Sequence, residues 1–189
     1  MANFYISDLH FFCKSELRNG YFKERPVDTL EEMHETIKRN WNSTVTNGDH
    51  VYILGDNSKR GFNDNLVALM SQLKGNLHLI RGNHDDFFLK KINPKNYFID
   101  VSLYMEMSLG KNKLTLCHYP MYSWRNSRRD NSYLVFGHVH NNKDMYWFDY
   151  YCQNDKTLNA GVDINNFEPV NFDELKKNNE EFKRCYRVG

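Results

Sequence analysis

Short apolar runs rich in aromatic and β-branched residues recur along the chain, at residues 3–7 (NFYIS), 51–54 (VYIL), 77–81 (LHLIR), 114–117 (LTLC) and 133–136 (YLVF). Their length and composition predict strands buried on both faces. Helical spacing separates the first three. Leu30, Met33, Ile37 and Trp41 predict an amphipathic helix from 29 to about 41, opened by a Thr29/Glu32 capping box, with His34 off the stripe as a surface residue. Phe62, Leu66, Leu69 or Met70, and Leu73 predict a second helix over roughly 63–74, stopped by Gly75. Residues 11–27 have no period and read as a loop or lid exposing Phe11, Phe12, Tyr21 and Phe22. Strand, helix, strand, helix, strand is the pattern of parallel βαβ units.

Beyond a short helix at 87–92 and the Asn93-Pro94 break, strands dominate. They are predicted at 97–101, 103–109, 114–117, 133–136, 145–151 and 157–160, with a hairpin turn at Gly110-Lys111-Asn112. Asn171 and Glu174 form a capping box for a closing helix, 172 to about 184.

The chemistry lies where the strands stop. Asp8-Leu9-His10, Gly55-Asp56, Gly82-Asn83-His84-Asp85, His118-Tyr119-Pro120 and Gly137-His138-Val139-His140 each follow an apolar run. In an extended chain, alternation places Asp8 with His10, and His138 with His140, on a common side. A single Asp-x-His reads equally as a solvated loop, and a single His-x-His as a surface pair. Their recurrence at successive strand ends is what carries weight. Gly-Asp also occurs as Gly48-Asp49, before the 51–54 strand. Ligands of open α/β sheets gather at the carboxyl ends of strands, so Asp56 is the candidate, and Asp49 and His50 belong to a turn at the opposite edge. Imidazoles and carboxylates without a thiolate suit divalent manganese, iron, cobalt, nickel or zinc. The donors suffice for two ions, with a central carboxylate such as Asp56 as a bridge; a water between the ions would have its pKa lowered from about 15.7 towards 7.

Composition narrows the partners. At 189 residues, with 40% hydrophobic and 26% charged residues, the chain fits a single globular domain, 1–189. Twenty-five basic against 24 acidic residues, a net charge of +1, supply no field for extended nucleic acid or a membrane surface, while a small nucleotide stays open. Cys13, Cys117, Cys152 and Cys185 form no Cys-x-x-Cys pair and read as reduced thiols. The N-terminal MANFYISDLHFF has neither a basic segment nor an apolar signal core, so a cytoplasmic location is expected.

The five blocks, in this order, resemble the signature of the calcineurin-like metallophosphoesterase superfamily, and residues 159–163 (NAGVD) are similar to the closing segment of its small bacterial and phage members. The resemblance implies an α/β fold, a four-layer αββα sandwich of two mixed β-sheets flanked by helices. It implies two divalent metal ions, manganese foremost, with iron, nickel, cobalt or zinc as alternatives. Asp8, His10 and His140 would hold one ion, Asn83, His118 and His138 the other, and Asp56 would bridge. A metal-bridging hydroxide would hydrolyse a phosphomonoester or phosphodiester, with His84 as general acid and Asp85 holding the His84 tautomer. The substrate would be a small phosphate ester or nucleotide; the oligomeric state is open. Many relatives continue Asp-x-His with Gly-His, where this chain has Phe11-Phe12-Cys13, which removes a histidine from the leaving-group side. Asn57 is placed to bond a phosphoryl oxygen or to cap a turn. In the 119–131 loop, Arg125, Arg128 and Arg129 suit phosphate, and Tyr122 and Trp124 suit base stacking. Asn57, Tyr119 and Arg125 are the substrate contacts taken forward, with Lys59 and Arg60 second. Two rivals share the fold: a catalytically silent protein-binding scaffold and a nuclease.

Overall fold

Strands β1 (Asn3–Ile6), β2 (His50–Ile53), β3 (Asn76–Ile80) and β4 (Asp100–Ser102) pair in parallel in the computed structural model, which describes residues 1–13, 25, 27–58, 64–144 and 146–184. A second sheet is built from β5 (Tyr104–Leu109), β6 (Asn112–Cys117), β7 (Ser132–Phe136) and β8 (Thr157–Asn159), and the two-residue β9 (Val170–Asn171) returns antiparallel to β1. The sheet orders are β4-β3-β2-β1-β9 and β5-β6-β7-β8. Both are mixed, since β5 runs antiparallel to β6 whereas β6, β7 and β8 are parallel.

Alternation along each buried strand sorts the core into layers. Phe4, Ile6, Val51, Ile53, Leu77 and Leu79 face helices α1 (Leu30–Thr44) and α2 (Asp64–Met70), which contribute Met33, Ile37, Trp41, Leu66 and Leu69. Tyr5, Tyr52, Leu54 and Ile80, on the opposite face, pack against Leu114, Leu116, Val135 and Leu158 of the second sheet. The short α3 (Asp86–Leu89) follows β3. The outer face of the second sheet, Leu134 and Phe136, is covered by Phe148 and Tyr151 of α4 (Phe148–Gln153). Helix α5 (Phe172–Arg184) closes the sandwich beside β8 and β1. This is the αββα arrangement. Among the described residues no helix is long and apolar enough to cross a membrane.

The Asn171/Glu174 capping box closes in both directions, and the Thr29/Glu32 box in one, Glu32 Oε2 accepting instead from Asp28 N at 2.9 Å. Thr29 Oγ1 accepts from Glu32 N at 3.1 Å, and Asn171 Oδ1 accepts from Glu174 N at 3.1 Å while Glu174 Oε2 accepts from Asn171 N at 2.9 Å. Asp49 holds the amino end of β2, accepting from Ala2 N at 2.7 Å and Thr46 N at 2.9 Å, far along the strand from Asp56. Four expectations are corrected. Within 145–151 the chain forms α4, not a strand, because Phe148, Tyr151 and Cys152 repeat at helical spacing and bury one face. At 97–101 a 3-10 turn, Pro94–Asn96, capped by Asn93, leaves strand geometry only from Asp100. His34 is buried, and its Nε2 accepts from Phe12 N at 2.9 Å. Phe11 is fully buried in the helix-side core. Tyr21, Phe22, Lys59, Arg60, Phe62, Met145 and Cys185 lie outside the described residues.

Asn179 of α5 ties the helix to the second sheet. Its Nδ2 donates to Asn159 O (3.0 Å) and Leu175 O (2.8 Å), and its Oδ1 accepts from Asn159 N (2.7 Å) and Tyr151 OH (2.6 Å). Replacing it by leucine strands buried partners on three elements. Asn179→Leu is therefore expected to lower unfolding stability by about 3 kcal/mol or more, read from urea denaturation. A loss below about 1 kcal/mol would show that the contacts contribute little.

Candidate metal centre

Parallel pairing brings the strand ends into line. Asp8 N donates to Gly55 O (3.1 Å), His10 N to Asp56 O (2.9 Å), and Gly137 N to His118 O (2.9 Å), so the β1 and β2 ends form one ledge and the β6 and β7 ends another. The backbone then leaves extended geometry. Asp8, His10, Asp56, His138 and His140 all have positive φ, at 60°, 49°, 56°, 76° and 53°. Each costs of order 1–3 kcal/mol and persists only where the surroundings over-determine it. The pairs Asp8/His10 and His138/His140 thus converge through left-handed kinks rather than through the strand alternation expected for them. Gly82 and Gly137 sit where the ledges meet: a Cβ at Gly137 would collide with Ser7 Oγ, and one at Gly82 with the Asp56 carboxylate.

Two groups of donors result. One ligand atom each from Asp8, His10 and His140 lie within 4.8 Å of one another, as do one each from Asp56, His118 and His138. One carboxylate oxygen lies between side-chain nitrogens of both groups. Asp56 Oδ2 is 3.8 Å from His10 Nε2 and 3.5 Å from His118 Nε2. Asn83 Oδ1 is 3.1 Å from His118 Nε2. His118 Nδ1 donates to Leu54 O at 2.7 Å, which leaves the Nε2 lone pair facing Asn83 and Asp56. Likewise His140 Nδ1 donates to Asp163 Oδ2 at 2.8 Å and turns Nε2 towards Asp8, 3.9 Å away.

Lone pairs aimed at lone pairs are the electrostatics of a cation site. Burial pushes the Asp56 carboxyl up, opposed by His118 and reinforced by Asp8. Burial also pushes His138 down, with His118 beside it. For His140 burial opposes protonation, but Asp8 and Asp163 outweigh it and the imidazole is held up. Asp163 is held well below the usual carboxylate range: Arg25 and His140 overcome the effect of burial. The nitrogen and oxygen donors fit borderline divalent ions.

The remaining candidates divide. The His84 imidazole stands over the site, its side chain 27% exposed, its ring 5.6 Å from that of His10, and its backbone N donating to Asp56 Oδ1 at 3.0 Å. Tyr119 packs edge-on to both His118 and His138, with ring centroids 5.0 Å apart in each case. Asp85 is redirected. Its fully buried carboxylate accepts from Gly82 N (2.8 Å), Asp56 N (2.9 Å) and Asn57 N (2.9 Å), so it clamps two strand ends together instead of orienting the His84 tautomer. Asn57 is buried, and its Nδ2 lies 3.4 Å from the Asp85 carboxylate, which removes it as a phosphoryl contact. Arg125 turns to Glu106 at 2.8 Å on β5 rather than to the donors. Trp124 is buried and donates to Ser132 Oγ, so it offers no stacking face.

Sequence reasoning passed over three supports. Ser7 Oγ donates to Asp8 Oδ2 at 2.6 Å, and His138 N donates to the same carboxylate at 3.0 Å. Asn159 Nδ2 donates to His140 O at 2.7 Å. Asp163 carries His140 on one side and Arg25 Nε, at 2.7 Å, on the other. Asp163 and Asn159 were visible as parts of the closing NAGVD segment; Arg25, 138 positions from Asp163, gave no sign.

The calcineurin-like phosphoesterase family model matches residues 4–179. The chain belongs to this family. An uncharacterized protein of Methanocaldococcus jannaschii is 31% identical over 174 residues, which covers 91% of this chain and 88% of that one. The crystal structure of a protein of unknown function from Aquifex aeolicus superposes with a TM-score of 0.69 at 26% identity, covering 93% of this chain and 97% of that one. Membership in the calcineurin-like phosphoesterases and the two His/Asp groups together point to divalent-metal binding.

Because Asp163 fixes the His140 tautomer, Asp163→Asn is expected to weaken divalent-metal affinity about 10- to 100-fold, measured by titration calorimetry with manganese, while the exposed Asp173→Asn changes nothing. Equal affinities would show that Asp163 serves only to hold Arg25.

Proposed function

We propose that this chain is a dinuclear metal-dependent phosphoesterase acting on a small phosphomonoester or phosphodiester, nucleotides included. The observation that carries the reading is Asp56 Oδ2, within 4 Å of an imidazole nitrogen from each donor group, the position a shared ligand requires. Asp8, His10 and His140 would hold one ion, and Asn83, His118 and His138 the other, with Asp56 common to both. Bound ions supply an acidified water and positive charge for the phosphoryl oxygens. Manganese, foremost by the family resemblance, is the ion taken forward; the nitrogen and oxygen donor set without thiolate also suits iron, cobalt, nickel or zinc.

The protein's own part is to position and to move a proton. Left-handed kinks at the strand ends hold the donors without needing the ion to reshape the loops. His84 is tethered through its backbone to Asp56 and keeps a partly exposed ring, so it can reach a leaving oxygen and give it a proton. Asp85 acts through the turn beneath it. The donor set is complete, which favours catalysis over a silent scaffold. A net charge of +1 favours a small substrate over a polymer, against the nuclease reading. Cys13, Cys117 and Cys152 are all buried, and a reducing cytoplasm is the location that goes with this reading.

With manganese added, the protein is expected to turn over a chromogenic aryl phosphate monoester or diester. Asp56→Asn should lose metal and activity together. His84→Ala should keep both metals and lose about 10²- to 10⁴-fold in kcat. An empty metal site in His84→Ala would overturn the acid role, and no turnover of either ester by fully metallated protein would sink the enzyme reading.

A further inference from the structure

Beside the donor groups lies a second feature, a cavity of about 330 Å³ that His138 shares with the metal centre. Its volume falls at the lower end of small-molecule sites, about 300–1,000 Å³. Its walls are aromatic: Tyr119, Tyr122, Tyr146, Trp147 and Tyr150 line it with His138. Exposed large apolar side chains on a soluble surface are unremarkable singly but mark a binding site when they cluster. Here Tyr119, Tyr122 and Tyr146, at 42%, 81% and 97% exposure, all border this one cavity. Tyr122 and Tyr150 already stack, with centroids 4.6 Å apart and planes 29° from parallel, and Tyr150 OH donates to Tyr122 O at 2.7 Å, so the platform is pre-formed. Tyr119 bridges the two features, packing on His118 and His138 on one side and lining the cavity on the other.

We infer that this cavity is the subsite for a nucleobase, so that the ester hydrolysed at the adjacent centre is a nucleotide. The inference rests on the proposed phosphoesterase reading for the position of the phosphate. The occupant follows from the walls: flat aromatic faces with phenolic edges take a planar heteroaromatic ring, whereas a sugar phosphate or inorganic phosphate would leave them wet and unused. Continuity with His138 places the ring and the phosphoryl group in one molecule. None of the loop's arginines, Arg125, Arg128 and Arg129, lines the cavity, and Arg125 is tied to Glu106, so specificity here comes from stacking and not from charge.

Two measurements separate this inference from the reading beneath it. The first is adenosine binding to metal-free protein, followed by fluorescence of Trp147 with Trp147→Phe as the control. Saturable binding is expected, weakened about tenfold, roughly one base–aromatic stack, in the exposed-site variants Tyr122→Ala and Tyr146→Ala. The second is kcat/KM with manganese for adenosine 5′-monophosphate against ribose 5-phosphate, which share a leaving alcohol and differ in the base. The nucleotide should be favoured about tenfold or more, and the two variants should erase that preference while leaving ribose 5-phosphate turnover unchanged. Equal turnover of the pair, or no adenosine binding, overturns the nucleobase subsite while the phosphoesterase reading stands. Adenosine binding that depends on Tyr122, with no turnover of either phosphate or of the aryl monoester and diester by fully metallated protein, keeps the subsite and overturns hydrolysis.

Discussion

The centre depends on one buried carboxylate. Asp85 is removed from solvent and accepts from three backbone amides, two on the turn after β2 and one at the end of β3. Burial pushes its carboxyl up, and the amides pull the other way by rewarding the charged form. Those amides would otherwise be orphaned donors at the end of a parallel ladder, where burial without a partner costs about 1–3 kcal/mol each. The clamp therefore serves both needs, holding Gly82 against Asp56 in a contact that leaves no room for a Cβ. Asn83 and Asp56 face the same point because Asp85 lies below them.

Positive φ at the five kinked candidate donors has a cost of its own, and the structure shows what sustains it. Asp8 is gripped by Ser7 Oγ and His138 N, Asp56 by His84 N, and His140 by Asp163 and, through its carbonyl, Asn159. Ser7 and Asn159 are themselves buried in the sandwich. The strain is thus carried by core packing at a distance, with Asn179 of α5 as an example: it anchors Asn159, whose side chain in turn holds the His140 backbone.

This division explains what was legible in the chain beforehand. Strands and helices could be read wherever a period of 2 or 3.6 survived, and the candidate donors could be read because each follows an apolar run directly. Left-handed kinks could not, since Asp and His carry no glycine-like signal and alternation gave the same pairing for a different reason. Long-range polar contacts were invisible in principle: Arg25 meets Asp163 across 138 residues, and His34 finds Phe12 N only once α1 has packed. Asp85 was legible as important and misread in its role, because adjacency to His84 in sequence is not adjacency of side-chain chemistry when the intervening turn sends the carboxylate downward to amides. At 145–151, aromatic composition pointed to a strand, and the spacing of Phe148 with Tyr151 and Cys152 won.

Each donor group draws on both sheets: Asp8 and His10 from β1 with His140 from β7, and Asp56 from β2 with His118 and His138 from β6 and β7. An ion in either group would consequently tie one half of the sandwich to the other, and its binding energy would add to the stability of the fold, about 2.7 kcal/mol at a concentration one hundred times the dissociation constant. Without ions the same geometry works against folding, since burial disfavours the charged Asp56 and Asp8 lies close by. The loops between the ledges are held by amide and carbonyl hydrogen bonds and by close glycine contacts. Metal affinity and sheet packing are therefore one quantity viewed from two sides, and a substitution that loosens the inter-sheet core of Tyr5, Leu54, Leu116 and Val135 should register first at the donors.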